Sequence, residues 1–441
     1  MNFFPDENFS NISTIINESQ HVLTDLYSAS NSIIAFRKQY PPLINYIKSN
    51  LKEITDIAFC QKPADSKSAQ EFCLNIFCSS VPAFDLYLST NPQFLMQISN
   101  FLKNVQNSTN DGLASFSLIM QCLIQNSDGY ILVGIPNRKN LAGKIFDLLG
   151  NIAVYSLLYF LTDTGKKYVS EFLDTDIFAL YLFKYIDEYP RKVLQLLINL
   201  VKTSKSDKKF MDFIVQEDKL TSVYKIATTS KYPYTSSKAF SLLTEICKEM
   251  FKDNEYYDEE EEEEDSYYVF EFIIQRISEI CRFVQQEPYL LSHSPACQLL
   301  ISIIPVTRQI PEEIYQTAQK LFEKMFEYPH RSLCHNSCCN LFMAIYEKDK
   351  EVFKKIDIRD KIVYAFTKLA GDHNNVFFGH LYKLTRLIQK SKTKFDSECQ
   401  GWDEYISNVF TKMKKIINSP YGGVLPKDPR RDDFLTTIII E

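Results

Sequence analysis

The densest group of chemistry-bearing side chains is His330, Cys334, His335, Cys338 and Cys339. Thiolates and imidazoles are zinc's usual ligands. On a helix, Cys334 and Cys338 would share one face, and His335 and Cys339 another. Zinc needs about four convergent ligands, normally as two pairs, and no second Cys/His pair follows at a suitable spacing. Cysteine is also among the most buried residue types, so core thiols are the stronger reading and a metal centre the weaker. A Cys–His catalytic pair would need one exposed, activated thiol, and this run singles out none. No Gly-x-Ser-x-Gly surrounds any serine. Gly129 and Gly134 have phosphate-loop spacing, but Ile135 and Pro136 stand where Lys and Ser/Thr are required. With six histidines and no strand ends to cluster them, two-metal hydrolysis lacks its ligands. A non-enzyme without metal or cofactor is expected.

Charge offers a second kind of site. Lys383, Arg386, Lys390, Lys392 and Lys394 lie between Asp372 and Asp396 with no acid among them, and Lys412, Lys414 and Lys415 follow. A phosphate-binding ridge looks like this, and so does a solvated helix face, which is the more common case. Aromatic residues do not interleave there as single-strand stacking would require. The net charge of -6 comes from Asp258 to Asp265, eight consecutive acids; the remainder sums to +2. Such a body has no global field to attract nucleic acid or an anionic membrane.

The elements that would carry these residues are helices. Ile314, Ala318, Leu321, Phe322, Met325 and Phe326 recur at helical spacing. Gln316, Lys320, Glu323, Lys324 and Glu327 are assigned to the opposite, polar face. Pro311 with Glu312 and Glu313 fits a first turn, and Tyr328-Pro329 ends the pattern. Similar stripes predict helices over about 20–58, 68–104, 113–126, 141–162, 167–187, 209–227, 235–251, 267–286, 296–304, 333–356, 377–391 and 402–417. No sustained two-residue alternation predicts a strand. The spacing of helix pairs is that of HEAT and armadillo arrays, so an all-α, right-handed helical solenoid is expected, elongated and curved. A compact two-domain helical protein is the alternative. Residues 1–19 read as a flexible N-terminus and 20–420 as one helical-repeat domain with a disordered acidic loop at about 254–266. Residues 421–441 read as an extended tail.

The 441 residues, 45% of them hydrophobic, suffice for a large core. Eleven cysteines, an odd number without a signal-peptide pattern at MNFFPDENFS, fit free thiols in a reducing compartment. Neither Pro288 to Thr307 nor Leu148 to Thr162 reads as a membrane span. A cytoplasmic location, with the nucleus as a second compartment, is the expectation.

Five segments add a resemblance. They are Asn31 to Ile47, Gly150 to Leu161, Leu321 to His335, Gly379-His380-Leu381, and Trp402 with Tyr405-Ile406. In this order, over roughly 20–415, the chain resembles the SAPS-domain family, the regulatory subunits of protein phosphatase 6 and Sit-type relatives. The resemblance implies a non-catalytic scaffold that binds a protein phosphatase 6-like catalytic subunit and directs it to substrates, in signalling and the cell cycle. Ankyrin-repeat or other scaffold subunits are implied as further partners, with no membrane or nucleic acid. A helical-repeat adaptor for transport or nucleic-acid binding is the rival. Arg37, Tyr40, Tyr328, His330, Arg331, His380, Lys383 and Arg386 are the expected partner-binding residues, on one face. Gly379 is expected to let two helices approach closely.

Overall fold

A computed structural model describes residues 9–163, 168–204, 207–251, 264–369 and 377–418. They are all-α, with no strand among the described residues. They form two compact units rather than one continuous domain. One contains the described residues up to Ile277 together with Leu290–Ser302; the other contains Ser278–Tyr289 and the described residues from Ile303 onward.

Local chemistry explains the helix starts. Asn91, Thr109 and Asn151 accept backbone N–H bonds at the heads of Pro92–Lys103, Asn110–Asn126 and Ile152–Thr162, which satisfies donors that the helix itself leaves open. Pro41, Pro82, Pro92, Pro190 and Pro233 occupy first-turn positions, where their fixed φ and missing N–H are harmless. These prolines and caps divide the long periodic stretches. The predicted 68–104 becomes Lys67–Cys78, Pro82–Thr90 and Pro92–Lys103, and 20–58 becomes a series of short helices from Val22–Ser28 to Leu51–Ala58.

Within the first unit, helices stack on their neighbours in two rows. Val22–Ser28, Lys67–Cys78, Asn110–Asn126, Ile152–Thr162, Pro190–Thr203 and Pro233–Met250 pack each on the next. Leu51–Ala58, Pro92–Lys103, Arg138–Phe146, Thr175–Lys184 and Lys208–Ile214 do the same. Successive members of a row begin about 40 residues apart, which is a repeat-array period. Side-chain bonds repeat at that interval. Ser117 donates to the Ala153 carbonyl, 36 residues on, and Lys192 to that of Leu149, 43 residues back. The second unit does likewise, with Tyr315 donating to Asp349 across 34 residues. Each helix therefore buries its stripe mainly against near neighbours.

Three details differ from the sequence expectations. Ser10–Glu18, inside the stretch expected to be flexible, is a helix packed on Pro41–Ser49, with Ile12 fully buried. Of the acidic loop expected at about 254–266, residues 254–263 lie outside the described residues, and the helix Glu264–Ile274 begins in its last three. Gly379 has nothing within 4 Å of where a Cβ would stand, so it serves no close approach. The tail at 421–441 lies outside the described residues. No single described helix is long and apolar enough to cross a membrane.

Candidate functional site

In the second unit, Glu312–Glu327 ends at Tyr328, Ser332–Lys348 turns back against it, and Phe378–Ser391 packs on Ser332–Lys348. This brings Tyr328, Arg331, His335, Asn336, His380 and Lys383 together. His335 is fully buried. Its Nε2 donates to the Tyr328 carbonyl at 2.9 Å, so the exposed turn is fastened to the helix that follows it. Burial pulls the His335 pKa down, while the Tyr328 and Met325 carbonyls oppose the fall. The His380 ring lies 5.3 Å from that of His335, at 67°. Its Nε2 donates to Asn336 Oδ1 at 2.9 Å, and its Nδ1 is buried with no hydrogen-bond partner. Burial first, then the neighbouring His335 and Lys383, bring the His380 pKa down to about 4. At neutral pH both rings are therefore uncharged.

The cysteines of this cluster are core residues. Cys334, Cys338 and Cys339 are buried, and burial pushes the Cys334 and Cys339 thiols up to about 12. The Cys339 thiol donates to the His380 carbonyl at 3.6 Å. Among the described residues, no three His, Cys, Asp or Glu side chains converge as a metal set would require.

The eight expected partner-binding residues fall into different surroundings. Arg37 is exposed at the end of Ser32–Arg37. Tyr40 is half-buried, its ring 5.3 Å from Phe9 and its hydroxyl 2.7 Å from that of Ser13. Both belong to the first unit, and the other six to the second. His330, Arg331, Lys383 and Arg386 are exposed. Arg331 donates to the Tyr289 carbonyl and lies 4.9 Å from the centre of the Tyr328 ring. Tyr328 and His380 are half-buried. Lys383, Arg386 and Lys390 recur at helical spacing on one exposed face of Phe378–Ser391, without an ion pair among the described residues.

Two features escaped the sequence reading. Lys324, assigned there to the polar face, is completely buried. Its Nζ donates to the Gln285 and Gln286 carbonyls at 2.6 and 2.9 Å, with Glu287 at 3.9 Å. The ammonium thereby closes the end of Ile277–Gln285, the position where cations suit the helix dipole. Periodicity held a partial signal. Lys324 lies about 60° of arc from Leu321, at the edge of the apolar stripe.

The other is an aromatic and cationic surface on the first unit. The Arg191 guanidinium is 4.2 Å and the Lys238 ammonium 5.3 Å from the centre of the Tyr234 ring, and Tyr232 is 74% exposed. Its signal was the repeated Tyr-Pro start at Tyr189-Pro190-Arg191 and Tyr232-Pro233-Tyr234.

No family model matches the chain, and no curated protein matches it. Among solved structures, the crystal structure of an engineered protein is similar with a TM-score of 0.44 and 10% identity, over 93% of this chain and 94% of that chain.

Proposed function

We propose that this protein is a non-catalytic scaffold whose helical-repeat body binds a partner protein, with a protein phosphatase 6-like catalytic subunit as the partner that the sequence resemblance implies. The observation that carries the reading is the exposed row of Lys383, Arg386 and Lys390, unpaired with acids among the described residues, on the helix whose His380 ring lies 5.3 Å from the His335 ring that holds the Tyr328 carbonyl. Unpaired cations and an aromatic-Arg pair in one unit suit an acidic protein surface, because Tyr and Arg are favoured hot-spot residues and charge complementarity guides docking. His335 holds the turn from beneath; the Cys334 and Cys339 thiols, buried and pushed up by that burial, are poor nucleophiles.

Capture of purified protein phosphatase 6 catalytic subunit by the full chain tests this directly. The double substitution K383E/R386E, with helicity unchanged by circular dichroism, is expected to weaken capture by about tenfold and to flatten its salt dependence. Wild-type capture that is absent, or that the double variant leaves untouched, counts against the reading. So does phosphatase turnover by the chain alone.

A further inference from the structure

The heads of three helices in the first unit form a surface that the proposed site on the second unit does not use. Ile152–Thr162, Pro190–Thr203 and Pro233–Met250 stack in one row, and side chains tie their starts together. Lys192 Nζ donates to the Gly150 carbonyl at 2.7 Å, just before the first of these helices. The Arg191 guanidinium lies 4.2 Å from the centre of the Tyr234 ring, at the start of the third. Lys238, one turn further along that helix, holds its ammonium 5.3 Å from the same ring. Ile152 and Tyr232 are each 74% exposed, and Tyr234 is 41% exposed. Large apolar and aromatic side chains left open together mark an interaction surface.

The cations of this surface are open. Neither the Arg191 guanidinium nor the Lys238 ammonium has an ion pair or a hydrogen bond among the described residues; both rest against the Tyr234 ring. No acid stands in the first turn of any of the three helices, where the positive end of the dipole favours one. Arg191 and Lys192 occupy that turn of Pro190–Thr203 instead, so the positive end is reinforced rather than offset. Asp187 and Glu188 precede this corner in the sequence, and Arg191, Lys192, Lys231 and Lys238 outnumber them. Contact with the ring restricts the Arg191 guanidinium and leaves its in-plane N–H donors free, a fork that matches a carboxylate. A side chain held in place before binding has less freedom to lose on binding.

We propose that this surface docks an acidic segment of a partner protein, whose carboxylates pair with Arg191 and Lys238 and whose apolar side chains cover Ile152 and Tyr232. Charge complementarity selects the occupant: unpaired cations set among exposed aromatic residues gain most from a chain that carries acids interrupted by apolar side chains. Single-stranded nucleic acid fits less well. It stacks bases on open rings, and the Tyr234 ring already has Arg191 and Lys238 against it. The surface belongs wholly to the first unit, so the proposal stands apart from the phosphatase reading and from Lys383 and Arg386.

The test titrates the full chain into a fluorescein-labelled peptide of repeated Glu-Glu-Leu triplets and follows fluorescence anisotropy. The peptide should bind, and its affinity should fall as salt rises. A Gln-Gln-Leu peptide should bind at least about tenfold more weakly. The double substitution R191E/K238E, with helicity unchanged by circular dichroism, should weaken the acidic peptide by about tenfold or more. The milder R191Q/K238Q should weaken it in the same direction, and serves if charge reversal disturbs folding. Tyr234→Ala, which frees the guanidinium from the ring, should cost about threefold. K383E/R386E should leave this affinity within about twofold of wild type, because those residues lie on the other unit. The proposal is overturned if the acidic peptide does not bind, if R191Q/K238Q binds it as wild type does, or if K383E/R386E removes the binding instead. It is also overturned if oligouridylate RNA binds more tightly than the peptide and loses that binding in R191Q/K238Q, which would make the surface one for nucleic acid.

Discussion

Lys324→Met keeps the length of the side chain and removes its charge and donors. In the native chain the ammonium is fully enclosed and satisfies the Gln285 and Gln286 carbonyls at 2.6 and 2.9 Å. Net contributions for bonds to a charged group are about 1.5–3 kcal/mol each. Burial acts against them, and it is the first cause of the lowered Lys324 pKa. An apolar replacement recovers part of that desolvation penalty but leaves two helix-end carbonyls without a donor. The balance is a loss of about 2–4 kcal/mol. Trp402 is the only tryptophan in the chain and lies in the second unit, 7% exposed, so its fluorescence follows the unfolding of that unit. With a urea slope of about 2–3 kcal/mol/M, the midpoint should fall by about 1 M. A pH series adds a signed check. The folded pKa of Lys324 lies below 10.5, so between the two values the unfolded chain binds more protons. Stability contributed at Lys324 therefore rises with pH through that window, and the wild type should draw further ahead of Lys324→Met as pH approaches 10.5. A variant equal to or more stable than wild type would refute the capping role, as would a gap that stays constant with pH.

His380 predicts the opposite limb. Its pKa falls from 6.5 to about 4 on folding, so stability at this site is present above 6.5 and is lost as pH drops towards 4. The full shift corresponds to about 3 kcal/mol. Solvent screening of the half-exposed ring reduces this to about 1–2 kcal/mol. His380→Gln should lose that share of the acid sensitivity in Trp402-monitored unfolding, and an unchanged acid slope would exclude the site. Two glycines should respond with opposite signs. Gly379→Ala, with open space around it and a helical position, should stabilise the second unit by about 0.5–1 kcal/mol. Gly150→Ala would place its Cβ 2.7 Å from the Tyr189 hydroxyl and should cost about 1–3 kcal/mol, read by hydrogen exchange in Ile152–Thr162.

The helical class was legible because periodicity is a local property. Ile314, Ala318, Leu321 and Met325 mark a stripe in any helix that buries one face, and all four are fully buried. Helix boundaries were less legible. The predicted 68–104 is three helices because Pro82 and Pro92 each start a new one, and their effect is weaker than the apolar pattern that runs through them. Lys324 marks a limit of the same reasoning. A lysine between Glu323 and Met325 reads as solvated until another helix end, about 40 residues earlier, presents two open carbonyls to it. At the candidate site, the exposed cations Arg331, Lys383 and Arg386 could be singled out by type, and Tyr328 by its helix-ending proline. The pairing of His335 with His380 could not, because they are 45 residues apart and meet only when Phe378–Ser391 packs on Ser332–Lys348.

The sequence by itself determined that the chain folds as helices, which faces of those helices are apolar, and that no phosphate loop or nucleophile motif is written in its residues. Tertiary structure alone decided that the described residues divide into two units and that Lys324 is interior and Gly379 unconfined. The physical reason is range. Propensity, capping and amphipathicity act within a few residues, whereas burial and desolvation depend on whichever helix, some 40 residues away, closes over the side chain.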